Sequence, residues 1–391
     1  MNKTIFLLVS FLVFLNANII PLSPLTAILK DKNIKEAIVT INSKDTKEIP
    51  LIYKITEKNI KEYGGVPIFG LYEDFNNKID IEYKINNEIK KDTYYLQTKA
   101  LENKKNEIKQ TKIDNTRFDN RFYFVIDEDS AFIIDMLGNV RWFANIDKTQ
   151  FIEKPKMFIL NNMAFDIING KAFMLNIQDS AKLLNINDNI FKINNNDIEL
   201  LDRDYKILNK WKFPFEVDVL NNISSLYYSN DLFVAYRDSI IKLDKKSKIE
   251  WIFGGNKDEF KLVDATGSKI LCQNCNNGKI ENMQEIRFLN NKYIIYIIIF
   301  DNNINAKALI YKIDERLKTK EILWTYEIKD EVLQGNAIYK ENSHTIFMDY
   351  KDIDKNLHIL EFAWGDKIPT INIKIENALK AIPFDINNFF R

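Results

Sequence analysis

Four of the five tryptophans in this 391-residue chain close the same local pattern: an apolar strand, an aspartate, a polar turn, then a strand ending on Trp. The pattern reads IIDMLGNVRW to Trp142, LLDRDYKILNKW to Trp211, IKLDKKSKIEW to Trp251 and YKIDERLKTKEILW to Trp324. Trp364 follows Leu360-Glu361-Phe362 and departs from it. The intervals 142 to 211 and 251 to 324 are close to twice, or a little under twice, those from 211 to 251 and from 324 to 364. Such spacing implies a unit of roughly 35–40 residues with two degenerate copies between. A repeated four-stranded unit of that length is the mark of a β-propeller. Six blades are favoured, with five and seven as the neighbouring counts. Each Trp then caps an outer-strand hairpin and packs between blades, with no ligand role. No segment has a sustained 3.6-residue period with caps, so a helical fold is disfavoured.

Upstream of the repeat the chain reads as short strands. Ile38–Ile41, Ile49–Ile55, Pro67–Tyr72, Ile79–Ile85 and Thr93–Thr98 are β-branched or aromatic and often alternate. Asn76-Asn77 and Asn86-Asn87 read as the turns between them. These strands predict a small β-sandwich. Residues 101–118 are polar and charged and read as a linker or an exposed helix. The expected architecture is all-β: a signal peptide at 1–17, a β-sandwich over 18–110 and a propeller over 111–391.

The signal is read from Lys3, the short apolar core Ile5 to Leu15, and the small residue after Asn16. The alternative is an uncleaved anchor, but a spanning helix needs roughly 20 apolar residues. Tyr293–Phe300 is also too short and reads as a buried strand. The mature chain is therefore expected to be exported, periplasmic and free of the membrane. Apolar residues make up 46% of the chain, ample for a core. The formal net charge is +0, and nothing in it calls for a nucleic acid. His344 and His358 are the only histidines, too few for a His-built metal site. No metal is expected. Export makes a disulfide the default for Cys272 and Cys275. The alternatives are half a zinc site, which lacks two ligands, and a redox motif, which would normally open a helix in a βαβ unit.

Two segments carry a family resemblance. The first is YGGVPIFGLY, Tyr63 to Tyr72, preceded by Pro24-Leu25-Thr26-Ala27 and followed by NNKIDIEYKINNEIKKDTYYLQT. The second is VDATGSKILCQNC, then FDNN, then LIYKIDERLKTKEILWTYE. Both resemble the bacterial periplasmic arylsulfate sulfotransferase family. The match is strong over 21–100 and 240–330 and poor over 145–215. It implies a β-sandwich before a six-bladed propeller, no cofactor, a phenolic or aryl sulfate ligand, and a homodimer. In that family a phenolic sulfate ester gives its sulfuryl group to an active-site histidine, and a second phenol collects it.

Carried onto this sequence, the family's Gln-His pair falls on Gln284-Glu285, so the nucleophile position reads Glu285. The family's His-x-Asn falls on Asn222-Ile223-Ser224, and its arginine falls on Arg237. His344 and His358 fall where the family has no functional histidine. A carboxylate at 285 repels the anionic sulfuryl group, and its adduct would be a mixed anhydride labile to water. The missing histidines also remove a proton donor for the leaving phenolate, worth roughly 10²–10⁴-fold. The resemblance thus implies an arylsulfotransferase scaffold with catalysis weakened or lost at Glu285, Arg237 remaining as an anion clamp and Asn222 and Ser224 as substrate contacts. The alternative is a non-catalytic periplasmic propeller that binds a ligand or protein partner; a third reading is a generic propeller scaffold.

Overall fold

The computed structural model describes residues 19–390, apart from 31–33, 46–48, 86–87, 103–105, 114–121, 153–157, 161–162, 176–180, 187–188, 203–205, 216–221, 268–282, 292–293, 302–305, 341–343 and 387–389. The signal segment and the Cys272–Cys275 pair lie outside the described residues.

The N-terminal part is built from strands β1 (Ile19–Ser23), β2 (Thr26–Leu29), β3 (Ala37–Ile41), β4 (Leu51–Ile55), β5 (Val66–Phe69), β6 (Asn76–Ile85) and β7 (Glu88–Gln97). They form two sheets, ordered β1-β2-β5 and β4-β3-β6-β7. Burial alternates along β3, β4 and β6, as one face of a sheet on a core requires. Two local expectations are corrected. Asn76-Asn77 opens β6 instead of forming a turn. The Asn77 amide accepts from the Tyr72 N–H and donates to the carbonyls of Tyr72 and Phe75, so it knots the bend that delivers the Gly70–Tyr72 stretch. One helix, α1 (Glu57–Tyr63), also intervenes. Thr56 and Asn59 make a capping box at its start, and Gly64 closes it in the left-handed region.

Residues 101–118 are not simply a linker. They contain β8 (Ile108–Ile113), which pairs with the outermost strand of the last blade.

Six blades follow. The first holds β9 (Phe122–Ile126), β10 (Ser130–Asp135) and β11 (Val140–Ile152). The second holds β12 (Phe158–Leu160), β13 (Met163–Asp166) and β14 (Lys171–Leu175). It borrows the end of β11, which pairs parallel with β14, so the two blades form one continuous sheet. The third is β15 (Ala181–Ile186), β16 (Asn189–Asn194), β17 (Asp197–Leu201) and β18 (Ile207–Lys212). The fourth is β19 (Ile223–Tyr228), β20 (Leu232–Tyr236), β21 (Ser239–Leu243) and β22 (Ile249–Gly254). A two-residue strand β23 (Lys261–Leu262) precedes the fifth blade, which is β24 (Met283–Asn291), β25 (Ile294–Asp301), β26 (Lys307–Asp314) and β27 (Thr319–Glu327). The sixth is β28 (Val332–Lys340), β29 (Thr345–Asp352), β30 (Asn356–Ala363) and β31 (Ile371–Glu376). The C-terminal strand β32 (Lys380–Phe384) then pairs with β9 and supplies the innermost strand of the first blade. Innermost strands of neighbouring blades touch at β12/β15, β19/β24 and β24/β28. Among the described residues the span 251–324 therefore holds one blade, with β23 before it.

The Trp pattern has a physical cause. Trp142, Trp211, Trp251 and Trp324 all lie buried on a fourth, outermost strand. Each of these strands carries a β-bulge against the third strand, close to its Trp. The aspartate before each turn fixes the hairpin. Oδ1 of Asp135, Asp202, Asp244 and Asp314 accepts backbone N–H bonds from within the turn, including Asn139, Lys206, Lys248 and Arg316 respectively. Trp364, off the pattern, is 40% exposed.

The Gly70–Tyr72 stretch docks on the first blade through Arg141. Its guanidinium donates from Nε and Nη2 to the Gly70 carbonyl, 2.9 and 2.6 Å away. Nη1 reaches Asp135 Oδ2 at 3.0 Å, and the group lies 3.7 Å from the centre of the Tyr72 ring. Phe390 stacks on Tyr53 and Phe384 packs on Phe69, so the end of the chain is held against the sandwich. One core runs through both parts.

Packing between blades leaves no room at Gly335 on β28. A Cβ there would overlap the Phe300 ring of the fifth blade. Gly335→Ala is expected to destabilise by about 1–3 kcal/mol, the usual cost of overpacking, read as a lowered urea midpoint. In the sixth blade Asp352 accepts from Asn356 and lies 2.9 Å from His358 Nε2. Burial pushes the Asp352 carboxyl up, but His358 and Asn356 outweigh it and hold it below the ordinary range. A depressed carboxyl stabilises above its unfolded value of about 4, and that stability is lost as pH falls through the lower folded value. The stability gap between wild type and Asp352→Asn should therefore narrow from pH 7 to pH 3.

Candidate functional site

The fourth blade brings three of the expected residues together at one end. Asn222 and Ser224 stand at the entry of β19, its innermost strand, and Arg237 sits in the β20–β21 turn that returns to the same end. The Arg237 N–H donates to the Asn222 carbonyl at 3.0 Å, and Arg237 Nε donates to Asn222 Oδ1 at 3.2 Å. Arg237 adopts φ 55°, a left-handed conformation unusual for a side chain of its size. Nε is its only side-chain hydrogen-bonding atom engaged among the described residues; the rest of the exposed guanidinium points to no protein acceptor there.

A bulge marks the entry to the innermost strands of three successive blades. Ile223 pairs with Tyr236 and Ser225 with Ala235, so Ser224 is the extra residue of β19. Met283 pairs with Asp301 and Ile286 with Ile299, so Gln284 and Glu285 together face Phe300 on β25. Val332 pairs with Asp352 and Gln334 with Lys351, which makes Leu333 the extra residue of β28. Bulges re-aim side chains and recur beside functional sites. Ser224 and the 284–285 pair thus occupy equivalent places in neighbouring blades whose innermost strands touch. The backbone of Glu285 lies in β24; its side chain lies outside the described residues.

Four further residues adjoin this end. Phe213 and Phe215 follow the last strand of the third blade and pack on Tyr236, with Phe215 stacked on it at 5.7 Å and 10°. Arg237 lies 5.3 Å from the Tyr236 ring centre. Lys257, in the short 3-10 turn after β22, lies 5.8 Å from that of Phe215. That turn is held close by Gly255: at φ 61° it packs on the Asp238–Ser239 turn, where a Cβ would overlap the Ser239 hydroxyl. Sequence reading missed Phe215, Tyr236 and Lys257. The available signal was their place directly after an outermost strand or at the end of a second strand, since both return to this end of the blade.

The two histidines are committed elsewhere. His358 stacks on Tyr350 at 4.6 Å and faces Asp352, while Tyr350 donates to Asp330. Burial and Asp330 push the Tyr350 phenol up, so it stays protonated. With Asp352 beside it, His358 faces a carboxylate that disfavours a sulfuryl anion. His344 Nδ1 lies 2.8 Å from the Tyr339 hydroxyl, at the start of β29. Among the described residues no group of three or more His, Cys, Asp or Glu could hold a metal, and no helix is long and apolar enough to cross a membrane.

Residues 12–99 match the model of the arylsulfotransferase Ig-like domain. Arylsulfate sulfotransferase AssT of Escherichia coli O6:H1 (strain CFT073) is 40% identical over 83 residues, covering 21% of this chain and 14% of that protein. AssT of Lelliottia amnigena is 35% identical over 83 residues, with the same coverage. The aligned part of this chain spans about one seventh of either relative. Among solved structures, the periplasmic gluconolactonase PpgL of Pseudomonas aeruginosa aligns with 90% of this chain and 99% of its own, at 6% identity and a TM-score of 0.31. A likeness that loose adds nothing to the fold, which rests on the strand pairing above. Residues 12–99 therefore carry an Ig-like domain of the arylsulfotransferase type.

Proposed function

We propose that the end of the propeller bearing Asn222, Ser224 and Arg237 binds an aryl sulfate ester, and that sulfuryl transfer there is weakened or lost because the nucleophile position reads Glu285. The observation that carries the reading is the Asn222–Arg237 hydrogen-bonded pair, at the mouth of a blade whose innermost strand packs against the one bearing Glu285. A guanidinium held by one nitrogen keeps other donors for an anion, and such charge-assisted bonds are the strong ones. A carboxylate at 285 cannot take the role of imidazole, which attacks neutral and leaves readily when protonated. The chain acts as an exported, periplasmic protein, with the sandwich domain ending near residue 110 and the cysteine pair as a local disulfide.

Purified mature protein tests this with 4-nitrophenyl sulfate. The ester should bind, and Arg237→Ala should weaken binding by roughly 10–100-fold, the worth of a charge-assisted bond. Nitrophenolate release should show no dependence on added phenol. Phenol-dependent release that vanishes in Arg237→Ala would instead establish a working transferase, and absence of binding to the wild type would remove the site.

A further inference from the structure

We infer that the stacked pair Phe215–Tyr236, with Lys257 against one ring and Arg237 against the other, selects a ligand that is at once aromatic and anionic. The inference rests on the proposed aryl sulfate site and adds residues on the third and fourth blades that recognise the ring. Three segments far apart in sequence converge on it: the exit of β18, the β20–β21 turn and the exit of β22. Phe215 and Tyr236 are only half-buried, whereas Phe213 behind them is fully buried and props both rings. Half-exposed stacked rings leave aromatic surface for a third ring, and offset or edge-on contacts add to simple burial.

The charges fit the same ligand. Lys257 and Arg237 are both exposed and both lie within 6 Å of a ring centre of the pair, so one surface presents aromatic faces and positive charge together. A sulfate ester spreads its negative charge over three oxygens and can engage two separated cations. Its phenyl group then falls where the rings are. Asp238, in the same turn as Arg237, is the acidic group at hand; the Ser239 hydroxyl donates to it at 3.0 Å. A non-aromatic sulfate should use the cations alone, and a neutral phenol the rings alone. Selectivity for the combined ligand is thus the property this arrangement supplies.

The experiment is equilibrium binding by calorimetry of three probes, 4-nitrophenyl sulfate, methyl sulfate and phenol, to the wild type, Phe215→Leu and Lys257→Gln. Unchanged circular dichroism and melting temperature establish that each variant is folded. The aryl ester should bind the wild type at least about tenfold more tightly than either simpler probe. Phe215→Leu should lose most of that preference while leaving methyl sulfate unaffected. Lys257→Gln should weaken both sulfate esters and spare phenol. If the wild type binds the aryl ester in an Arg237-dependent way but Phe215→Leu leaves its affinity unchanged, the aromatic platform is wrong and the anion site stands. If methyl sulfate binds the wild type as tightly as the aryl ester, the platform is likewise wrong. If no sulfate ester binds the wild type, both proposals fall together.

Discussion

Arg141→Met is expected to destabilise the protein by about 3–5 kcal/mol, the range for removing one member of a buried ion pair. Arg141 is 2% exposed and Asp135 8%. Burial pushes the Asp135 carboxyl up, against the pull of Arg141 and Asn139. Without Arg141 that carboxyl keeps only the donors of its own turn, Leu137 and Asn139. The buried Gly70 carbonyl would lose both of its bonds from Arg141, and Tyr72 would lose the cation against its ring. The damage therefore falls on the seam between the N-terminal sheets and the first blade. Urea unfolding measures it. The double variant Arg141→Met/Asp135→Asn should recover part of the loss, because no uncompensated charge remains. A cost below about 1 kcal/mol for the single change, or no recovery in the double, would show that the pair does not hold the seam.

Lys242→Met is expected to cost about 2–4 kcal/mol, less than a fully buried pair because its partners are partly exposed. Lys242 Nζ stands 2.7 Å from Glu315 Oε1, 2.9 Å from Glu250 Oε2 and 3.2 Å from Asp231 Oδ2. Glu315 belongs to the fifth blade and also accepts from Trp251 Nε1 at 2.6 Å. One ammonium thus holds three carboxylates of two blades, and its removal leaves them facing one another. Burial opposes the charge, but Glu315, Glu250 and Asp231 outweigh it and hold the Lys242 ammonium well above its usual range. A raised value of this kind gives stability that is complete below the unfolded value of about 10.4 and is lost only as pH rises through the higher folded one. The cost of Lys242→Met should therefore be unchanged between pH 6 and 9 as far as this lysine is concerned. High salt should reduce it only modestly, since the ammonium is nearly buried. A loss under 1 kcal/mol at pH 7 would mean that the Lys242 ion cluster does not hold the fourth and fifth blades together.

Much of the fold was legible because its cues are local. The Asp-turn-Trp hairpin involves about a dozen consecutive residues, and each part answers to a contact within that span: the carboxylate on turn amides, the Trp beside a bulge. Between Trp251 and Trp324 the described residues form one blade where the spacing suggests two copies, since spacing alone does not show how many strands a stretch contributes. Helix α1 was missed because seven residues are too few for a period, although Thr56, Asn59 and Gly64 were its caps in plain view. Asn77 was misread because Asn favours turns; here its amide bonds the bend from within a strand.

The candidate site divides in the same way. Asn222, Ser224, Arg237 and Glu285 were reached by family resemblance, and Asn222 and Arg237 do meet. Phe215, Tyr236 and Lys257 could be placed at this end only by their positions at strand ends; that they contact one another is shown by the tertiary structure alone.

By itself, then, the sequence determined the strand content, the turn chemistry, the buried tryptophans and the kinship of residues 12–99. Only the tertiary structure decided that β11 serves two blades, that β32 closes the ring on β9, and that Arg141 reaches back to Gly70. It also decided which three chain segments share the Arg237 end. The physical reason is range. Alternation, turns and caps are set by interactions between near neighbours. Ring closure, seams and sites depend on pairings between residues dozens to hundreds apart, whose partners become neighbours only when the whole ring has formed.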